Sequence, residues 1–143
     1  LINQNRETIG EAILTETDTG IQIDIEAEQL PPGAHGFHIH EKGLCEAENK
    51  FESAGGHFNP FHKEHGTLNP KGPHAGDLPN IIVQNDGTVV DTIHTDLVTL
   101  KKSKVNSLLK TDGTSLIIHA NPDDYQTDPA GNAGERIACG VIK

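Results

Sequence analysis

Apolar and polar residues alternate along several short segments of this chain, and such alternation is typical of half-buried β-strands. In residues 20–30, every second residue from Ile21 to Ala27 is apolar, and the residues between them are polar. Residues 7–16 come before this segment, and the sequence Asp-Thr-Gly between the two is typical of a turn. The N-terminal part of the chain is therefore predicted to form two strands joined by a turn.

Four more strands are predicted toward the C-terminus. Residues 81–84 and 88–93 flank an Asn-Asp-Gly sequence, which is a signature of a hairpin turn. Residues 115–119 follow a second turn sequence, and residues 136–142 form the last predicted strand. Only residues 105–110 could form a helical turn, and that segment is short.

Two stretches, residues 41–80 and 120–135, have no regular period and are rich in Gly and Pro. Long irregular segments inside a compact domain are usually functional or disordered. The first stretch carries several histidines, so a functional role is favoured. A chain of 143 residues without internal repeats is long enough for one hydrophobic core. The pattern predicts a single all-β domain over residues 1–143, an antiparallel β-sandwich or barrel with two long functional loops.

The amino-acid composition limits the kinds of molecule that the protein can bind. Only 34% of the residues are hydrophobic and 3% are aromatic, so the core must come from Ile, Leu, Val and Ala. The formal net charge of −10 argues against nucleic acid and against an anionic membrane surface as partners. No apolar run approaches the roughly 20 residues that a transmembrane helix needs. The chain begins without an initiator Met or a signal segment, so it is expected to be a processed product.

The candidate chemistry lies in histidine, the commonest protein ligand of borderline metals such as copper and zinc. Alternate residues of a strand share a face, so His38 and His40 form a two-nitrogen pair on one side. Phe37 and Ile39 then point to the core. An HxH pair alone is weak evidence for a metal site, but six of the nine histidines fall in four clusters: His38, His40, His57, His65, His74 and His119.

Two ligand sets can be assembled from these clusters, and His57 belongs to both. A deprotonated imidazolate can bind two metals, so one histidine can bridge two sites. The first set offers four imidazoles and suits Cu(II), which favours tetragonal nitrogen ligation: His38, His40, His57 and His119. The second set offers three nitrogens and one carboxylate and suits tetrahedral zinc: His57, His65, His74 and Asp77.

The motifs GFHIHE, GGHFNP, HxGDLPN, SLIIHANPDD and NAGERIACGVI, in this order, resemble the copper/zinc superoxide dismutases. The resemblance runs from about Ile9 to Ile142, and the spacing of His40, Cys45 and His57 is similar to that of the bacterial branch. It implies one copper ion and one zinc ion per chain on the two ligand sets, with His57 as the bridge. It also implies a Greek-key β-sandwich, or flattened eight-stranded barrel.

The resemblance also assigns roles to residues outside the ligand sets. Asp123 matches a carboxylate that links a copper-site histidine to a zinc-site histidine, and Asp124 is the adjacent alternative. Arg136 matches the family's substrate-guiding arginine, whereas the residues alone favour a surface salt bridge. Cys45 and Cys139 match the family's disulfide bond, and two buried free thiols are the alternative that the cysteine count leaves open.

The implied activity is the dismutation of superoxide to dioxygen and hydrogen peroxide, an antioxidant oxidoreductase reaction in which copper alternates between Cu(II) and Cu(I). Superoxide is then the small anionic substrate, and His57 and Arg136 are the catalytic residues. A disulfide bond indicates an extracytoplasmic location: periplasmic, cell-envelope or secreted. A homodimer is compatible with the resemblance, although the bacterial branch dimerises differently from the eukaryotic one.

Two other functions stay open. The chain could be a family-related copper-buffering protein without turnover, or a structural β-sandwich with adventitious histidines. A degenerate relative should lack a copper ligand or the arginine, and this chain lacks neither. His35 is expected to be a buried structural residue, His62 a solvated loop residue and His94 a surface residue. Lys63 and Lys71 are candidate steering residues by position alone.

Overall fold

The computed structural model describes residues 1–143, and strands dominate its regular structure. Two single-turn 3-10 helices lie at Ala47–Asn49 and Glu52–Ala54. The strands are β1 (Ile2–Asn3), β2 (Gly10–Glu16), β3 (Ile21–Ala27), β4 (Gly33–His35), β5 (Phe37–His40), β6 (Ile81–Val83), β7 (Val89–Thr95), β8 (Thr114–His119) and β9 (Arg136–Ile142).

All strand pairs are antiparallel, and they form three sheets. A four-stranded sheet has the order β1-β9-β8-β5, and a three-stranded sheet has the order β2-β3-β7. Strands β4 and β6 form a small two-stranded sheet. The predicted all-β class, an antiparallel sandwich with long loops, is confirmed.

The main hydrophobic core contains 21 buried residues drawn from both large sheets. Strand β3 contributes Ile21, Ile23 and Ile25, which alternate with less buried polar residues as the sequence pattern predicted. Strand β5 contributes Phe37 and Ile39. Burial of each such side chain stabilises the fold by about 1.5–3 kcal/mol, so strand β5 is firmly held by its apolar face.

Some local predictions were wrong. The Asn-Asp-Gly turn forms, with Gly87 N–H donating to the Gln84 carbonyl. Its flanking strands do not pair with each other, because β6 pairs with β4 and β7 pairs with β3. Residues 105–110 form turns and a bridge rather than a helical turn. The short strands β1 and β4 were not predicted.

The register of three strands positions the chemistry. Strand β5 pairs with β8, so Phe37 lies opposite Ile118 and His40 lies opposite Ser115. Strand β8 pairs with β9, and a register shift after Ile118 sets His119 opposite Arg136. Three strands therefore bring both histidines of β5, the last residue of β8 and the first residue of β9 to one region of the sheet.

The predicted disulfide between Cys45 and Cys139 is present and leaves no free cysteine. Its Cα atoms lie 5.6 Å apart, within the usual range for a disulfide. It joins the long loop to β9 beside a second, smaller core, which we call the satellite core: Ala47, Phe51, Ala54, Ile117 and Cys139. No helix in the structure combines the length and the apolar character needed to cross a bilayer.

Candidate metal centre

Six histidines from two strands and one loop converge on the polar side of β5, and all six are buried. The loop is held along β5 by backbone hydrogen bonds. Phe58 N–H donates to the Ile39 carbonyl at 2.8 Å, and Ile39 N–H donates to the Gly76 carbonyl at 2.8 Å. These contacts set His57 beside His40 and Asp77 beside His38.

Four imidazole nitrogens in this cluster are buried without a hydrogen-bond partner: His38 Nδ1, His40 Nε2, His57 Nε2 and His119 Nε2. An unpaired buried polar atom costs about 1–3 kcal/mol, so four together need an explanation. The four residues can direct ligand atoms that lie within 4.8 Å of one another. A metal ion that accepts four nitrogen lone pairs accounts for all four orphaned atoms, and copper suits such a donor set.

In three of these histidines, a hydrogen bond from one ring nitrogen leaves the other nitrogen free to bind a metal. His40 Nδ1–H donates to the Gly55 carbonyl at 2.8 Å, and His119 Nδ1–H donates to the Gly134 carbonyl at 3.1 Å. His38 Nε2–H donates to Asp123 Oδ2 at 2.6 Å. Such outer acceptors fix the tautomer and the orientation of a ligating imidazole. The lone pairs of these three histidines therefore point inward.

Burial keeps three of these histidines in the neutral form that binds metals. Desolvation lowers the pKa of His57 to about 4. Desolvation, with a further contribution from nearby His38, lowers the pKa of His119 to about 3. Burial also holds the pKa of His40 well below its ordinary value. At neutral pH each of these rings therefore carries one N–H proton and one free lone pair.

The second ligand set has the dimensions of a tetrahedral zinc site. Asp77 Oδ1 lies 2.9 Å from His57 Nδ1 and 3.0 Å from His65 Nδ1. His74 Nδ1 lies 3.3 Å from His57 Nδ1. Zinc with bonds of about 2.0–2.1 Å separates its tetrahedral ligand atoms by roughly 3.3 Å. If the two distances from Asp77 Oδ1 lengthen slightly, the ligand atoms have the spacing of tetrahedral zinc. These four residues therefore fit the ion.

Hydrogen bonds to the second carboxylate oxygen of Asp77 hold the side chain in this position. Asp77 Oδ2 accepts hydrogen bonds from the backbone N–H groups of Gly66 and His74, each at 2.9 Å. Burial alone would raise the pKa of Asp77, but hydrogen bonds from His57, His65 and His74 outweigh it and hold the pKa far below its ordinary value. The carboxylate is therefore ionised and turned toward the imidazoles.

Asp123 lies between the two ligand sets. Its Oδ2 accepts from His38, and its Oδ1 accepts from His65 Nε2–H at 2.8 Å. Asp124 instead accepts hydrogen bonds from the Thr127 side chain and backbone within its own turn. Asp123 is thus the carboxylate in contact with both sets, in the geometry that the sequence suggested for it.

An open cavity of about 530 Å³ is lined by three of the four histidines that carry orphaned nitrogens: His40, His57 and His119. Arg136 lines it and is half-buried, and its Nη1–H donates to the Phe51 carbonyl at 2.8 Å. Partial burial lowers the pKa of Arg136 from its ordinary value, but a guanidinium stays charged at neutral pH. The other polar residues of the lining include Glu41, Asn59 and His62.

The histidines outside the ligand sets fall largely where they were expected. His35 is buried, and its ring nitrogens contact the His119 and Pro31 carbonyls at 2.8 and 2.6 Å. His94 is exposed on β7. His62 is exposed but lines the cavity, which the sequence did not predict. The Asn59 side chain closes the turn that presents His62, because it donates to the Lys63 carbonyl and accepts from the Lys63 N–H.

Glu41 was also missed as a residue of the cavity wall. The available signal was its position directly after the HIH motif, at the end of β5. Of the two lysines suggested by position, Lys71 lies 3.9 Å from Glu64 in an exposed ion pair. Neither Lys63 nor Lys71 is among the residues that line this cavity.

Comparison with known proteins points to one family. The family "Copper/zinc superoxide dismutase (SODC)" matches residues 8–142. The chain is 57% identical to Superoxide dismutase [Cu-Zn] 1 of Aquifex aeolicus over 144 aligned positions, which cover 100% of this chain and 85% of that protein. A crystal structure of a double mutant of a SOD-like protein from Bacillus subtilis superposes with a TM-score of 0.96 at 48% identity, covering 99% of this chain and 93% of that one. The Cu/Zn superoxide dismutase from Brucella abortus gives a TM-score of 0.75 at 33% identity, covering 96% and 90%.

Proposed function

The chain belongs to the copper/zinc superoxide dismutase family, and we propose that residues 1–143 form one catalytic domain whose metals are held by the two ligand sets described above. The enzyme converts two superoxide anions and two protons to dioxygen and hydrogen peroxide. Its cofactors are copper and zinc. The observation that carries the residue assignment is the convergence of four buried imidazole nitrogens without hydrogen-bond partners.

Copper would be held by the strand-borne set and by His57, and zinc by the loop-borne set. The proposed copper ligands are His38, His40, His57 and His119. The proposed zinc ligands are His57, His65, His74 and Asp77. His57 is the proposed bridge because its Nε2 has no hydrogen-bond partner and its Nδ1 faces Asp77.

When bound, copper supplies one-electron exchange with superoxide, and zinc supplies a fixed positive charge beside His57. His38, His40 and His119 hold their lone pairs in place through Asp123 and two backbone carbonyls, so they need no reorientation during turnover. His57 differs from them because its second ring nitrogen, Nδ1, lies against Asp77 of the loop-borne set, while its Nε2 has no hydrogen-bond partner. That atom can take up a proton and deliver it to the reduced oxygen species in the cavity.

Arg136 is proposed to dock the substrate. Its guanidinium lines the cavity together with His57 and His119. A charged guanidinium gives a small anion a charge-assisted hydrogen bond. The net charge of −10 repels anions at long range, so attraction must be local to Arg136 and the metals.

Location and assembly are part of the proposal. The disulfide supports an extracytoplasmic location, because cytosolic thiols are kept reduced in most cells. A monomer or a homodimer in the periplasm, in the cell envelope or outside the cell agrees with such a location. The strongly acidic composition supports the absence of a nucleic-acid partner.

Metal content and superoxide-scavenging rate, measured on the same reconstituted sample, test the function. We expect one copper and one zinc per chain and a rapid copper-dependent rate. Anomalous scattering at the two absorption edges should find both ions sharing His57. Full copper loading without turnover would support the copper-buffering alternative instead, and two sites without a common histidine would exclude the bridge.

A further inference from the structure

We propose that zinc reaches its ligand set through a second cavity, separate from the cavity that Arg136 lines, and that His94 and Asp96 hold the ion transiently at its mouth. The inference rests on the proposed zinc ligands, because Asp77 is the ligand that the second cavity reaches. Neither His94 nor Asp96 has a part in the function proposed above. The position of this cavity, its chemical lining and its separation from the proposed copper ligands carry the argument.

The second cavity, of about 460 Å³, lies between the long loop over residues 41–80 and the ends of β2 and β7. Its lining includes Thr67 from the loop, Thr19 from the turn between β2 and β3, and His94 from the end of β7. These three residues are exposed, whereas Ile21 and Asp77 are the two buried residues of the lining. The cavity therefore leads inward from the surface to one proposed zinc ligand.

The two cavities have no lining residue in common. Among the proposed ligands, only Asp77 lines the second cavity, whereas His74 and three of the proposed copper ligands line the cavity beside Arg136. A zinc ion that entered beside Arg136 would be repelled by a charged guanidinium, and such repulsion is stronger in a partly buried setting than in water. It would also compete with copper for the same opening. A separate opening avoids both obstacles.

The lining of the second cavity suits a divalent cation. It contains no Lys and no Arg, and it carries the carboxylates of Asp77 and Asp96. A cleft lined by one sign of charge raises the local concentration of ions of the opposite sign. His94 adds an imidazole, and imidazole nitrogens and carboxylate oxygens are both zinc ligands. Zinc in a stable structural site has four ligands, so the two exposed side chains suit an ion in transit rather than a bound one.

The rate of zinc uptake by the full, disulfide-bonded chain tests the proposal. The protein is first loaded with copper and depleted of zinc, so that the ligands beside Arg136 are occupied. We expect His94→Gln combined with Asp96→Asn to lower the rate constant of uptake about 3- to 10-fold, a fraction of the roughly 10- to 1,000-fold that a charged cleft can contribute. Zinc release into an excess of chelator should slow as well, because residues met only in transit lower the barrier in both directions. The zinc affinity should therefore change far less than the rate.

His62→Gln is the matched control, because His62 is also an exposed histidine but lines the cavity beside Arg136. It should leave the rate of zinc uptake unchanged. All three substituted side chains are exposed, so the variants are expected to fold. Once both metals are loaded, the variant at His94 and Asp96 should scavenge superoxide at the unmutated rate, since neither residue lines the substrate cavity.

Unchanged zinc uptake in the variant at His94 and Asp96 would overturn the proposal. Equal slowing by His62→Gln would overturn it as well, because zinc would then enter beside Arg136. Failure of the unmutated protein to bind zinc at equilibrium would instead refute the proposed zinc ligands.

Discussion

Two main-chain carbonyls and one carboxylate decide which nitrogen of each strand-borne histidine is free for a metal. Gly55 and Gly134 supply the carbonyls, and Asp123 supplies the carboxylate. Asp123 differs from the glycines because it also accepts from His65, which belongs to the other ligand set. A change at Asp123 should therefore affect both metals.

Asp123→Asn should weaken zinc binding more than copper binding. An amide can accept from one histidine, but its NH2 group then faces the other ring. His38 remains among four nitrogens directed at copper, whereas His65 loses an acceptor that fixes its tautomer. Loss of such an outer partner costs about 10- to 100-fold in metal affinity, and competition with a chromophoric chelator would measure it. Unchanged affinity for both metals would mean that Asp123 orients neither ring.

The metal-free protein should be most stable near pH 6.5. Burial opposes the charge on His65, but hydrogen bonds to Asp123 and Asp77 outweigh it and raise the pKa to about 9, so this stabilisation is complete below 6.5 and is lost as pH rises toward 9. The pKa of His57 falls to about 4 and that of His119 to about 3, so their unfolded forms bind protons preferentially as pH falls below 6.5. The shift at His57 corresponds to on the order of 3 kcal/mol.

Thermal unfolding of chelator-treated protein across this range would test the expected maximum. The low pKa of Asp77 adds a further loss only in strong acid, below its ordinary value of 3.8. We expect the melting temperature to fall on both sides of the maximum, because of His65 at higher pH and of His57 and His119 at lower pH. A melting temperature that does not change between about pH 5 and pH 9 would contradict this expectation.

At this scale the sequence predicted identities but not orientations. The spacing of His38 and His40 placed them on one face, because strand geometry has a fixed period of two. It could not show that His38 presents Nδ1 while His40 presents Nε2, since their hydrogen-bond acceptors lie 85 and 15 residues away. The choice between Asp123 and Asp124 also needed the tertiary structure.

The strands and the long loop divide the site between them. Strands β5 and β8 carry three of the proposed copper ligands, and backbone pairing holds these strands rigid. The loop over residues 41–80 contributes every proposed zinc ligand. A metal that binds a loop contributes its binding energy to the order of that loop.

Asp77→Ala and His119→Ala should therefore have opposite effects. Asp77→Ala removes the only charged zinc ligand, so zinc affinity should fall by more than the roughly 100-fold that loss of an outer partner can cost. The melting temperature should fall with it, while part of the copper-dependent activity survives. His119→Ala should abolish activity and leave zinc bound.

Metal analysis, calorimetry and the dismutation rate on both variants give the comparison. Each variant is the control for the other, because both remove one buried ligand from the same cluster. An inactive Asp77→Ala beside an active His119→Ala would reverse the roles assigned to the two metals.

Element pairing marks the limit of pattern-based prediction. Alternation identified β3 because that strand buries one apolar face against the core, whereas all six residues of β8 are buried and show no such period. The turn sequence before Thr88 was recognised correctly, but it could not show that β6 and β7 belong to different sheets. Strands β1 and β4, of two and three residues, are too short to carry a period. Their pairing is decided by neighbours distant in sequence.

Over the whole molecule, the disulfide joins the metal loop to the last strand. It links residues 94 positions apart, and a closure of that length stabilises a fold by about 4–5 kcal/mol in the chain-entropy description. Cys139 and the ring of Phe51 share the satellite core, so the bond also supports the surroundings of Arg136.

The paired substitution Cys45→Ser with Cys139→Ser should lower both the melting temperature and the rate per bound copper. The first loss follows from the larger entropy of the unfolded chain, and the second from a looser satellite core. Differential scanning calorimetry and the dismutation assay would measure them. The unmutated protein treated with a reductant is the control. Full activity in the reduced protein and in the paired variant would show that the disulfide does not support the active site.

The disulfide also affects how the protein is oxidised by hydrogen peroxide, the product of its own reaction. Hydrogen peroxide attacks thiols and thioethers most readily. Both cysteine sulfurs are committed to the disulfide, and the chain contains no Met and no Trp. The interior therefore offers peroxide no sulfur target whose oxidation would disrupt packing. The side chains nearest to the released peroxide are the imidazoles that line the cavity, so oxidation should abolish activity before it unfolds the protein.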